Sequence, residues 1–171
     1  MGIRSIKRLF IAGLGLSVPA SFTEIFFLNG SCWLLFSLSM LGHAIFVAGL
    51  FLIDRQTKGL LSCYYLGMMI ISIVLYYLHY RGGNASIILL LTVFFFFLMF
   101  IYLHRFTRVS GEALFVRSFY CFMLCFLVGI CALKFGGLVA YSATVSFIIG
   151  FMALPPLIVY ATALISLKRL A

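Results

Sequence analysis

Acid is scarce in this chain: Glu24, Asp54 and Glu112 are its only acidic side chains, against twelve Lys and Arg in 171 residues. The three do not pair across adjacent segments, and neither an HExxH helix nor a glycine-flanked nucleophilic Ser is present. Glycine loops that would cradle a phosphate are missing as well. The chain is therefore expected to be non-enzymatic, without a metal or an organic cofactor.

Charge of either sign is scarce. Charged residues make up 9% of the chain, where soluble domains carry roughly 25%. Polar segments are equally short, with only about thirty to forty residues outside the apolar runs, too few for a soluble domain. The five cysteines, Cys32, Cys63, Cys121, Cys125 and Cys131, all fall inside apolar runs. They form neither a CxxC pair nor a zinc pattern with His, and they read as small packing residues.

What remains is apolar: 65% hydrophobic residues and a mean hydropathy of +1.27. This is the composition of a polytopic membrane protein. The hydrophobic stretches divide into spans 9–28, 32–53, 60–80, 86–104, 114–133 and 138–167. Most approach the roughly 20 residues that cross a bilayer as helix. The predicted fold is an all-α bundle of six transmembrane helices in one domain, 1–171.

The cations support that division. With six spans, Arg4, Lys7, Arg8, Arg55, Lys58, Arg105, Arg108, Arg117, Lys168 and Arg169 share one face, leaving Arg81 and Lys134 on the other. Lys and Arg accumulate in short cytoplasmic flanks, so both termini are expected to be cytoplasmic. Laying residues 1–31 on the surface instead leaves five cations facing seven, which carries no topological signal. Residues 1–20 also fit a cleaved signal peptide, with basic residues, an apolar stretch and Val18-Pro19-Ala20 as cleavage site, which would leave five spans. The net charge of +9 is thus an insertion address, and nucleic acid is not an expected partner.

Few residues inside the spans can carry chemistry. Glu24 is the one intramembrane carboxylate and so a candidate proton or cation site, although it also lies near enough to the external end to reach interfacial water. Its span and the next are joined by only Asn29, Gly30 and Ser31, forcing an antiparallel hairpin that puts Glu24 level with Leu35. Trp33 and Ser37 then lie within a turn as possible hydrogen-bond donors. His43, deeper in the second span, reads as a relay or a buried donor. Haem would need a second His at that depth, whereas His79 and His104 lie at opposite faces. His79 sits among Tyr76, Tyr77 and Tyr80 as an external aromatic belt, and His104 beside Tyr102 and Arg105 as its cytoplasmic counterpart.

Pro19 and the pair Pro155-Pro156 interrupt the first and last spans near mid-depth. They mark packing kinks or the broken helices that line transport sites. Gly13, Ser17 and Ser21 form a small-residue stripe, a spacing repeated by Ala44 and Ala48 and by Ala132 and Gly136, which marks close helix packing against an unspecified neighbour. Asn29 and Asn84 each begin a glycosylation acceptor triplet in a predicted external turn. The leading functional expectation is an integral membrane subunit or scaffold that meets other membrane subunits, or its own copies, within the lipid bilayer. The alternative is a small-solute or ion transporter using Glu24 and His43.

Overall fold

The computed structural model describes residues 3–27, 33–135 and 143–167, with side chains described throughout these except at 22–27, 76, 79–80, 130–135 and 143–152. The described residues form six α-helices and no strand: α1 Ile3–Phe27, α2 Trp33–Thr57, α3 Leu61–Tyr80, α4 Ala85–Ser110, α5 Leu114–Phe135 and α6 Ala143–Ser166. In cyclic order each helix packs on the next, and α6 returns to α1. The result is a closed ring. Both the start of α1 and the end of α6 lie at what is here called the terminal end, where Lys7 Nζ donates to the Ile165 carbonyl at 2.6 Å.

Helix boundaries run past the apolar spans wherever local capping allows. α1 begins at Ile3, so Arg4, Lys7 and Arg8 are helical, and α2 continues through Asp54 and Arg55 to Thr57. The largest correction concerns the predicted connection 105–113. Most of it is helix, because α4 runs on to Ser110 and stops only where Gly111 adopts the left-handed conformation (φ 69°) and its N–H bonds the Thr107 carbonyl. Hydropathy falls off at Arg105, but backbone hydrogen bonding is indifferent to that change, and a glycine without Cβ strain ends the helix.

The turn between α2 and α3 is built around Asp54. Its carboxylate accepts from the backbone N–H groups of Leu61 at 2.6 Å and Ser62 at 2.7 Å. These are orphan donors at the start of α3, where negative charge is also favoured by the helix dipole. The connection is tight enough to hold Lys58 (φ 53°) and Leu60 (φ 57°) in the left-handed region. At the opposite end, Asn84 caps α4 by accepting from the Ser86 N–H.

α1 and α2 make the closest helix pair. A β-carbon on Gly13 would meet the Gly42 carbonyl oxygen at 2.8 Å, one on Gly42 the Ser17 nitrogen at 2.5 Å, and one on Gly49 the Phe10 ring at 2.7 Å. Ser21 and Ser39 hydroxyls bond at 2.8 Å in the same seam. The neighbour of the Gly13, Ser17, Ser21 stripe is thus α2 of the same chain. On α2 the small residues used are Ser39, Gly42 and Gly49, whereas Ala44 and Ala48 face outward. Position 132 has no described side chain, and Gly136 lies outside the described residues.

The terminal half of the ring is solid. Ile6, Phe10, Leu50, Ile53, Leu61, Phe106, Phe115, Leu164 and Leu167 are fully buried and come from every helix. The outward surface is also apolar, with Leu34, Phe51, Ile70, Leu89, Leu90, Leu124 and Ile158 among its exposed side chains. Among the described residues two helices, α2 and α4, are long and apolar enough to cross a membrane.

Candidate functional site

Midway along the ring the packing opens into a cavity of about 450 Å³. All six helices wall it, and each contributes one polar side chain: Ser17 from α1, His43 from α2, Tyr65 from α3, Tyr102 from α4, Ser118 from α5 and Tyr160 from α6. Only α3 adds another, Ser72. Everything else is apolar, including four methionines, Met40, Met68, Met69 and Met99. Unbranched thioethers adapt to irregular shapes, so this wall can mould itself to an occupant. Among the described residues no Asp, Glu, Lys or Arg reaches the cavity.

Two hydrogen-bonded pairs organise the polar groups. His43 Nδ1 and the Tyr65 hydroxyl lie 2.8 Å apart, and the hydroxyls of Tyr102 and Tyr160 lie 2.7 Å apart. Ser72 and Ser118 instead donate to carbonyls of their own helices, those of Met68 at 2.9 Å and Phe115 at 2.6 Å. Back-bonding of this kind hides a hydroxyl in an apolar helix. The Tyr102 and Tyr160 pair also keeps one donor and one acceptor, but Tyr102, like Ser17, is only 3% exposed, whereas His43 and Tyr65 are both half-buried and are the more open pair for an occupant.

Aromatic rings close the terminal side of the cavity. Phe10 packs on Phe46 (4.9 Å between centroids), Phe46 on Tyr65 (5.0 Å), Tyr65 on Tyr102 (5.9 Å), Phe106 on Phe115 (4.1 Å) and Phe115 on Tyr160 (5.5 Å). Tilted and edge-on contacts of this sort suit the ring quadrupoles. Every helix supplies at least one ring to this plug. It separates the cavity from the terminal end.

The residues singled out in the sequence scatter with respect to this site. His43 lines the cavity and Pro156 is buried against it, while Pro155 on the same turn is exposed. Both prolines lie inside α6, and Pro19 inside α1. Ser37 is exposed on α2, away from the seam in which Ser39 is bonded. The backbone of Glu24 is helical, but its side chain lies outside the described residues, as does that of His79. Asn29 is also outside them.

Tyr102, read from the sequence as part of a border belt with His104, is 3% exposed and belongs to the core. His104 itself is exposed and stacks on Phe100. Arg117, one turn into α5, points outward. Nothing in the sequence singles out Tyr65, Tyr102, Tyr160 or the cavity methionines. Their helices are apolar on every side, so no periodic polar face marks the inward direction.

The described cations segregate by end. Arg4, Lys7, Arg8, Arg55, Lys58, Arg105, Arg108 and Arg117 lie at the terminal end, and Arg81 and the backbone of Lys134 at the other. Arg105 sits over the Tyr64 ring at 5.2 Å. The described residues contain no cluster of three His, Cys, Asp or Glu fit to hold a metal ion. Cys63, Cys121 and Cys125 are free thiols. No protein family, no curated protein and no solved structure matches the chain.

Proposed function

We propose that this chain is a six-span membrane protein, with both termini cytoplasmic, that holds a small apolar molecule in its central cavity and performs no chemistry on it. The carrying observation is the cavity itself, walled by all six helices and almost entirely apolar. Its volume of about 450 Å³ falls within the roughly 300–1,000 Å³ of small-molecule sites. Such a wall favours an uncharged occupant, because an ion would lose its hydration without gaining a partner charge.

The membrane part of the reading rests on the outward surface and the cations. Soluble monomers rarely expose apolar patches beyond a few hundred Å², whereas Trp33 is 83% and Leu90 70% exposed here amid similar neighbours. Lipid accounts for that surface. Cations gathered at one end then fit the cytoplasmic side. The reading of a subunit in a larger assembly loses one support, since the small-residue stripe that motivated it is occupied by α2 of the same chain.

The test is to extract the protein with its surrounding lipid and identify co-purified apolar molecules by mass spectrometry. Ala153→Phe, which puts a ring into the cavity from α6, should deplete one such species relative to wild type. A molecular profile unchanged by that substitution would count against the cavity as a binding site.

A further inference from the structure

We infer that the cavity takes a neutral amphiphile of the long-chain alcohol class, an apolar chain with a single hydroxyl head, and that His43 and Tyr65 together bind the head. The inference rests on the proposed apolar binding site and specifies its ligand.

The hydrogen-bonding inventory of the pair leads to this assignment. A neutral imidazole has one donor and one acceptor nitrogen, and a phenol is both donor and acceptor. The 2.8 Å contact between His43 Nδ1 and the Tyr65 hydroxyl uses one of each. If Tyr65 donates, His43 keeps the Nε2–H as donor while the phenol oxygen can still accept. If Nδ1–H donates, Nε2 becomes an acceptor while the phenol keeps its O–H to give. Either tautomer leaves one donor and one acceptor, and a single alcohol group requires that complement. Among the described residues neither side chain has another hydrogen-bond partner.

Other heads fit less well. A carboxylate offers acceptors only and an ammonium donors only, and each would bring an uncompensated charge into a site that no described charged side chain reaches. An alkane would leave the donor and acceptor of the pair unmet in an apolar cavity. The rest of the wall suits a chain: Met40, Met69 and Met99 are flexible, and Phe95 and Phe122 present flat apolar faces. The aromatic plug lies just beyond Tyr65 on the terminal side, so the chain extends from the head toward the other end.

The experiment uses the full chain in phospholipid nanodiscs, with tritiated tetradecanol as probe and tetradecane, tetradecanoate and tetradecylammonium as unlabelled competitors. Tetradecanol should saturate at one per chain, and each competitor should displace it at least about tenfold less well than unlabelled tetradecanol, the factor expected for one hydrogen bond. Tyr65→Phe should weaken tetradecanol by about the same factor and leave tetradecane unaffected. Equal competition by tetradecane would overturn the head assignment while saturable binding preserved the cavity reading. Stronger competition by either charged analogue would overturn neutrality. Absence of saturable binding by any probe, in wild type as in Ala153→Phe, would sink the cavity reading itself.

Discussion

Gly13 and Gly42 face each other across the α1 and α2 seam so closely that a β-carbon on either would meet the other's carbonyl oxygen, at 2.8 and 2.7 Å. Backbone cannot retreat from such a contact as a flexible side chain can. The seam therefore depends on the absence of two side chains. Together with the Ser21 and Ser39 hydrogen bond, it sets which faces of α1 and α2 turn inward, and so delivers Ser17 and His43 to the cavity.

Enlarging Gly42 should separate the two helices. Gly42→Leu is expected to lower stability by about 1–3 kcal/mol or more, the usual range for overpacking. Gly15→Ala on α1 is the control, because a β-carbon there meets nothing within 4 Å. Thermal unfolding in mild detergent should show a large loss for the first and none for the second. Equal effects would mean that the seam is not the tight contact described.

Removal of the α3 cap should be felt without any change in apolar packing. Asp54→Ala leaves the Leu61 and Ser62 N–H groups without their acceptor and is expected to cost about 0.5–2 kcal/mol. Asp54→Asn should fall between wild type and Ala, since an amide oxygen can still accept one of the two bonds. Hydrogen exchange at the start of α3 checks this locally: faster exchange there, and unchanged rates at the start of α4, is the expected pattern.

Coupling between His43 and Tyr65 is open to a double-mutant cycle. Either His43→Leu or Tyr65→Phe strands one member of a bonded pair, at about 1–3 kcal/mol. The double variant should be less destabilised than the sum of the singles, because no unmet group remains. Additive losses would show that the 2.8 Å contact contributes nothing.

The aromatic plug predicts sharply uneven tolerance along α5. Phe115 is fully buried against Phe106, whereas Leu124 is 63% exposed on the same helix. Phe115→Ala should cost about 3–5 kcal/mol by leaving a cavity, and Leu124→Ala should stay within about 0.5 kcal/mol. Unfolding midpoints of the two variants in one detergent decide the matter.

The proposed orientation makes a labelling prediction. In a background without native cysteines, Arg81→Cys should react with an impermeant maleimide applied to intact cells, and Arg108→Cys only after the membrane is opened. The reverse pattern would invert the topology, and reaction of both would contradict a spanning bundle.

Much of the fold can be read in the residues one at a time. All six helices lie where long apolar runs predict them, because a helix satisfies its backbone groups within its own segment, as an apolar run must wherever water is excluded. The α1 and α2 hairpin also follows from its three connecting residues, and its register continues as expected: Phe10 opposite Gly49, Ser17 opposite Gly42, Ser21 opposite Ser39. Less legible were the helix ends, since a cap such as Gly111 or Asp54 acts through geometry and leaves hydropathy untouched. Ser37 and Ala44 show the deeper difficulty. Nothing local distinguishes them from Ser39 and Gly42, and only the rotation of α2 about its axis separates outward from inward.

The sequence by itself determined helix number, approximate length and the sorting of cations to one end of the bundle, because each depends on local composition and chain order. It also placed His43 in mid-span. Tertiary structure decided that α6 closes on α1, that the small-residue stripe is satisfied within the chain, and that Tyr65, Tyr102 and Tyr160 turn inward beside His43. The physical reason is that these helices are apolar all round. With no polar face to orient them, shape complementarity at contacts such as Gly13 with Gly42 selects the inward side, and shape complementarity exists only between helices.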